Sequence, residues 1–95
     1  MFVKELVAEI ARVWGRMPVP SFVQLTNNHL PGATAKATLA SKYHHDDWWL
    51  CTLFLNKRFD ELDCSDRNLY LSDPWVVYME SYARWYYLGG YLHCA

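Results

Sequence analysis

Ninety-five residues with 53% hydrophobic and 17% aromatic content describe a single folded domain, because disordered chains are poor in aromatic side chains. A formal net charge of −1 with scattered basic residues gives no reason to expect a nucleic-acid partner, since such proteins carry a clustered basic excess. Residues 1–45 hold five basic and two acidic side chains and residues 46–95 hold four and eight, which reads as two differently solvated faces.

Val3, Leu6, Val7, Ile10, Val13 and Trp14 recur at three- and four-residue spacing, so 3–14 is an amphipathic helix, with Gly15 as its stop. Its charges recur every turn, unlike the unbroken apolar core of a signal peptide. Met17-Pro18-Val19-Pro20 is a stiff extended connector, because each proline fixes its own φ and restricts its predecessor. Ser21 to Thr26 reads as a short edge strand, and Asn27, Asn28, Pro31 and Gly32 as a loop. Ala35, Ala37, Leu39 and Tyr43 alternate with Thr34, Lys36, Thr38 and Lys42, the pattern of a half-buried strand. His44-His45-Asp46-Asp47 is then a turn, and Trp48 to Leu55 a central strand apolar on both faces, so 34–55 forms a β-hairpin.

The polar stretch Asn56 to Asn68 is anchored by Phe59 and Leu62, and Leu69-Tyr70-Leu71 is a short extended piece. Asp73-Pro74 is a helix start, since aspartate caps free amides and proline fits the first helical position. The second helix runs from Pro74 to Leu88, with Glu80 and Arg84 four apart in the favourable order for an ion pair, and Gly89-Gly90 ends it. These elements make an α+β fold, two helices on a small antiparallel sheet centred on Trp48–Leu55.

That last helix is apolar nearly all round. Trp75, Tyr78, Met79, Tyr82, Trp85 and Tyr86 form one stripe, with Val76, Val77, Tyr87 and Leu88 largely off it. Surface helices of monomers keep a wide polar face. A chain this short cannot wrap such a helix, and Glu80 and Arg84 inside residues 74–92 argue against a membrane span. The expectation is a partner protein, or a second copy of the chain, seated on Trp75, Tyr78, Tyr82, Trp85, Tyr86 and Tyr87 with Arg84 at the rim, because Trp, Tyr and Arg dominate interface hot spots. Pro18 and Pro20 offer a second, extended recognition element.

Chemistry is sparse by comparison. His44-His45-Asp46-Asp47 holds four potential metal ligands, but adjacent side chains diverge, and a metal-dependent enzyme built on it is the weaker reading. Asn56 after a hairpin would suit a His-Asn-His nuclease, yet no histidine lies between Leu55 and Tyr91. Zinc sites pair their ligands two to four residues apart, whereas Cys51, Cys64, His29, His93 and Cys94 are scattered or adjacent. No cofactor motif is present: Pro31-Gly32 and Gly89-Gly90 punctuate the chain rather than cradle phosphate. Asp60, Glu61, Asp63 and Asp66 form a short acidic run interrupted by basic neighbours, read as solvated loop charge over a phosphate mimic. An odd cysteine count without regular spacing points to free, buried thiols and a reducing, cytoplasmic setting. A short, site-poor, interface-rich chain has the general character of the small inhibitors and adaptors of phages and other mobile elements. The function expected from sequence is a non-enzymatic protein-binding module, with an obligate structural homodimer as the alternative.

Overall fold

The computed structural model describes residues 3–42, 45–70 and 75–95. Among these residues all regular structure is helical and no strand occurs, so the expected α+β fold is corrected to an all-helical one. The α-helices are α1 (Val3–Trp14), α2 (Phe22–Thr26), α3 (Ala35–Ala40), α4 (Asp46–Phe54) and α5 (Ser81–Cys94), and 3-10 turns lie at Phe59–Glu61, Arg67–Tyr70 and Trp75–Tyr78.

α1 has the expected bounds. Gly15 follows it because a Cβ there would run into the Ala11 carbonyl oxygen, not because a positive φ is needed. Each of the three segments read as strands carries a helix cap instead. Ser21 accepts from the Gln24 amide at 3.3 Å while Gln24 Oε1 accepts from the Ser21 amide at 2.9 Å, a reciprocal box that starts α2. Thr34 Oγ1 accepts from the Ala37 amide at 3.1 Å and starts α3. His45 Nδ1 accepts from the Asp47 amide at 3.3 Å, and Asp46 and Asp47 sit in the first turn of α4, where carboxylates suit the positive end of the helix. The supposed hairpin turn is therefore a helix start; Tyr43 and His44 lie outside the described residues. α4 passes for a two-sided strand because Leu50, Cys51, Leu53 and Phe54 are all buried, leaving little polar periodicity to betray the helix. α3 buries none of its residues, so its alternation reflects no core face.

The predicted second helix differs at both ends. Leu71, Asp73 and Pro74 lie outside the described residues, and Trp75–Tyr78 is a separate 3-10 turn. α5 starts after Glu80, whose backbone N–H donates to Gln24 O at 2.9 Å, and runs on through Gly89-Gly90 to Cys94. The two glycines are points of close approach. A Cβ on Gly89 would stand 2.5 Å from the Trp14 indole, and one on Gly90 would stand 2.5 Å from Leu62 Cδ1 and 2.9 Å from Phe59 O.

α5 is thus the axis of the molecule. α1 and α2 pack on it, α2 and α3 pack on α4, and the Phe59–Glu61 turn lies against its second half. The core joins Ile10 and Trp14 of α1, Leu25 of α2, Leu50, Leu53 and Phe54 of α4, Phe59, Leu62 and Leu69 of the connecting turns, and Trp75, Met79, Ala83, Tyr86 and Tyr87. Phe59 and Leu62 anchor their segment as expected. The cysteine expectation is corrected: Cys64 and Cys94 form a disulfide, with Cα atoms 5.4 Å apart, and of the three only Cys51 is a free, buried thiol. Among the described residues no helix is long and apolar enough to cross a membrane.

Candidate interaction surface

The helical repeat divides the side chains of α5 cleanly. Ala83, Tyr86, Tyr87 and Gly90 lie at i, i+3, i+4 and i+7 and are buried. Ser81, Arg84, Trp85, Leu88 and Leu92 follow the same spacing on the outward side and are exposed. Three of those five are large and apolar, with Trp85 49%, Leu88 42% and Leu92 40% exposed.

Several of the aromatic residues expected to meet a partner instead meet the rest of the chain. Tyr86 and Tyr87 are fully buried. The Tyr86 hydroxyl accepts from the Phe59 amide at 3.1 Å, and the Tyr87 hydroxyl lies 2.7 Å from Phe54 O and 2.9 Å from Lys57 O. Trp75 is buried, donates from Nε1 to Asn68 O at 2.6 Å, and stacks on Trp49. Tyr82 is half-buried and donates to Pro18 O at 2.6 Å; burial raises its pKa above the ordinary value. That contact ties the proline connector to α5, and Pro20 is buried, so the Pro-x-Pro segment is no open recognition strip although Pro18 is exposed.

Besides Pro18, the exposed members of the predicted set are Tyr78, Arg84 and Trp85, and the fold adds Val77, Leu88 and Leu92 to them, with Val76 half-buried. Val76, Ser81, Arg84, Trp85 and Leu88 line a groove of about 400 Å³ between the Trp75–Tyr78 turn and α5. Its parts are held firmly. Trp85 lies against the Trp14 ring at 5.1 Å between centroids, and its carbonyl oxygen accepts from Trp14 Nε1 at 3.0 Å. The Arg84 side chain reaches back across the groove edge, with Nε donating to Val76 O and Nη2 to Met79 O, both at 3.2 Å. The expected Glu80–Arg84 pair is not made. Glu80 lies before the first turn of α5 rather than within it, and its carboxylate pairs with His29 at 2.8 Å. Leu92 could have been found from sequence by letting the helix run past the glycines; Val77 could not, because its exposure depends on the chain leaving the helical path before Glu80.

Of the candidate metal ligands, His44 lies outside the described residues and the described ones do not converge. His45 caps α4, Asp47 Oδ2 accepts from Asn28 Nδ2 at 3.1 Å, and no group of three or more His, Cys, Asp or Glu side chains is placed to hold an ion among the described residues. The acidic run shapes local turns. Glu61 Oε1 accepts from the Arg58 amide at 2.6 Å, Asp60 pairs with Arg58 at 3.3 Å, and Asp66 accepts from the Asn68 amide at 2.9 Å. Asp63 accepts from the hydroxyl and amide of Ser65, which hold its carboxyl below the usual range. A second patch lies on α1, where residues 4–9 are exposed throughout, Leu6 and Val7 included, while Ile10 and Trp14 further along the same helix are buried. Comparison of the chain with protein-family models, with characterised proteins and with solved structures finds no match.

Proposed function

We propose that this chain is a non-enzymatic docking module that binds another protein through the outward side of α5 and acts by occlusion or recruitment, as an inhibitor or modulator of a larger assembly. One observation carries the reading: Trp85, Leu88 and Leu92 stand in an exposed line on a helix whose other side is locked into the core. A rigid, preorganised apolar face loses little conformational entropy when a partner covers it, and contiguous exposed apolar surface marks interaction sites. The buried aromatic residues support that face rather than form it.

The test is a photo-crosslinking residue placed at Leu88, with the same residue at Leu30 as control, since Leu30 is 72% exposed in the 27–33 loop. A discrete adduct from position 88 that is absent from position 30 is the expected result. Matching adducts from both positions, or none from 88, would refute the assignment. The homodimer alternative is favoured by Leu6 and Val7, which extend the apolar stripe of α1 beyond its packed half. An adduct of twice the chain mass, with sedimentation that changes on dilution, would identify that case.

A further inference from the structure

The groove beside α5 has one charged group in its lining, the guanidinium of Arg84. Arginine offers five N–H donors. The carbonyl oxygens of Val76 and Met79 take one from Nε and one from Nη2, which fixes the group at the groove edge and leaves three N–H groups unspent. Among the described residues no carboxylate pairs with it, and Glu80, the nearest acid in sequence on that side, is engaged by His29. The indole N–H of Trp85 likewise has no acceptor among the described residues, because the Trp14 contact uses Trp85's ring and carbonyl.

An occupant that covered this groove with hydrocarbon alone would strip water from a cation and return no counter-charge, which is among the costliest things an interface can do. We infer that the segment docking here is acidic as well as apolar: a stretch of a partner protein that places a leucine-like side chain between Val76, Trp85 and Leu88 and a carboxylate against Arg84. A peptide segment fits better than a small ligand. Leu88 lines the groove and Leu92 continues its exposed line one turn further along α5, so covering the remaining apolar surface needs a chain that continues along the helix. This inference rests on the docking role proposed above and names the chemistry of the partner.

The experiment follows the indole N–H resonances of the intact, isotopically labelled protein during titration with the blocked peptide acetyl-Leu-Glu-Glu-Leu-Leu-amide and with its counterpart in which glutamine replaces both glutamates. The Trp85 signal is expected to shift saturably with the glutamate peptide, and affinity for the glutamine peptide to be lower by about threefold or more, the range of a partly exposed ion pair. Arg84→Gln should abolish the difference, whereas Arg84→Lys, which keeps the charge without the two carbonyl bonds, should retain part of it. Added salt should weaken the glutamate peptide alone in the wild type, a readout that needs no variant to fold. Equal affinities in the wild type would overturn the acid requirement while leaving the docking face standing. A Trp85 signal indifferent to both peptides overturns the inference, as does one that responds more strongly to hexanoate or to simple concentration of the protein. The crosslink at position 88 tests the docking face separately.

Discussion

The tyrosine tips do as much as the rings. Phe54 O and Lys57 O belong to the end of α4 and the turn after it; Phe54 O accepts from the Lys57 amide at 3.0 Å, and the Tyr87 hydroxyl lies within bonding distance of both carbonyls. Tyr91 donates to Leu69 O at 2.8 Å in the same way. Each ring packs on the core and each hydroxyl finds a backbone carbonyl partner there. Burial holds these groups neutral. It drives the Tyr87 pKa well above the ordinary range, the Tyr91 pKa up to about 12 from 10.0, and the Cys51 thiol up to about 11 from 9.0, with a smaller push on Cys51 from the Asp47 charge. The unfolded chain ionises first in every case, so this stabilisation is complete below the ordinary values and is lost as pH rises through the raised ones. The urea midpoint should therefore hold from neutral pH to about pH 9 and then fall towards pH 12, and Tyr91→Phe should shallow the upper part of the fall. A midpoint that stayed level to pH 12 would contradict the burial of these groups. The aromatic wealth was plain in the sequence; its role was not, because Trp and Tyr suit a wet core and an interface equally well.

At the scale of the element, Gly89 separates local preference from packing. Glycine inside a helix costs about 1 kcal/mol relative to alanine, so Gly89→Ala would stabilise an isolated α5. Here the added Cβ would stand 2.5 Å from the Trp14 indole. That ring cannot slide away freely, because it rests on Trp85 and donates to its carbonyl oxygen. Overpacking of this kind costs about 1–3 kcal/mol and should win. Thermal unfolding of Gly89→Ala is expected to show a net loss of up to about 2 kcal/mol, and a rise in melting temperature would mean that α1 does not cross α5 there. The same pair of residues explains one misreading of the sequence, since two glycines stop a helix in water but continue one where another helix presses close. The strand readings of 21–26, 34–43 and 48–55 failed for a related reason. The alternation of the first two was a short-range coincidence and the third was apolar on both faces because α4 is buried, while the Ser21–Gln24 box, Thr34 and the acidic first turn of α4 were helix signals already in view.

The whole molecule is small enough to need a staple. The Cys64–Cys94 bond spans 30 residues and pins the last turn of α5 to the segment that follows the Phe59–Glu61 turn. Closing a loop of that length contributes about 2–4 kcal/mol, chiefly by restricting the unfolded chain. Cys94→Ser, or a thiol reductant, should lower the melting temperature by roughly 10 °C or more, while the reductant should leave Cys94→Ser unchanged. Identical melting of the wild type with and without reductant would show that the bond is not made. Because Leu92 lies two residues from Cys94, the staple also steadies the far end of the exposed apolar line.

Read alone, the chain settled that it is rich in aromatic residues, that its first helix spans 3–14, that Phe59 and Leu62 are anchors, and that its last helix carries more apolar surface than a monomer's surface helix usually does. Those conclusions depend on composition and on spacing within a single turn or two, which a sequence states directly. Only the tertiary structure decided that no sheet forms among the described residues, that Trp75, Tyr86 and Tyr87 face inward while Trp85, Leu88 and Leu92 face out, and that Arg84 serves carbonyl groups instead of Glu80. Each of these turns on which residues meet across long stretches of chain, and the pattern of a segment apolar on every side does not say which side the rest of the molecule will cover.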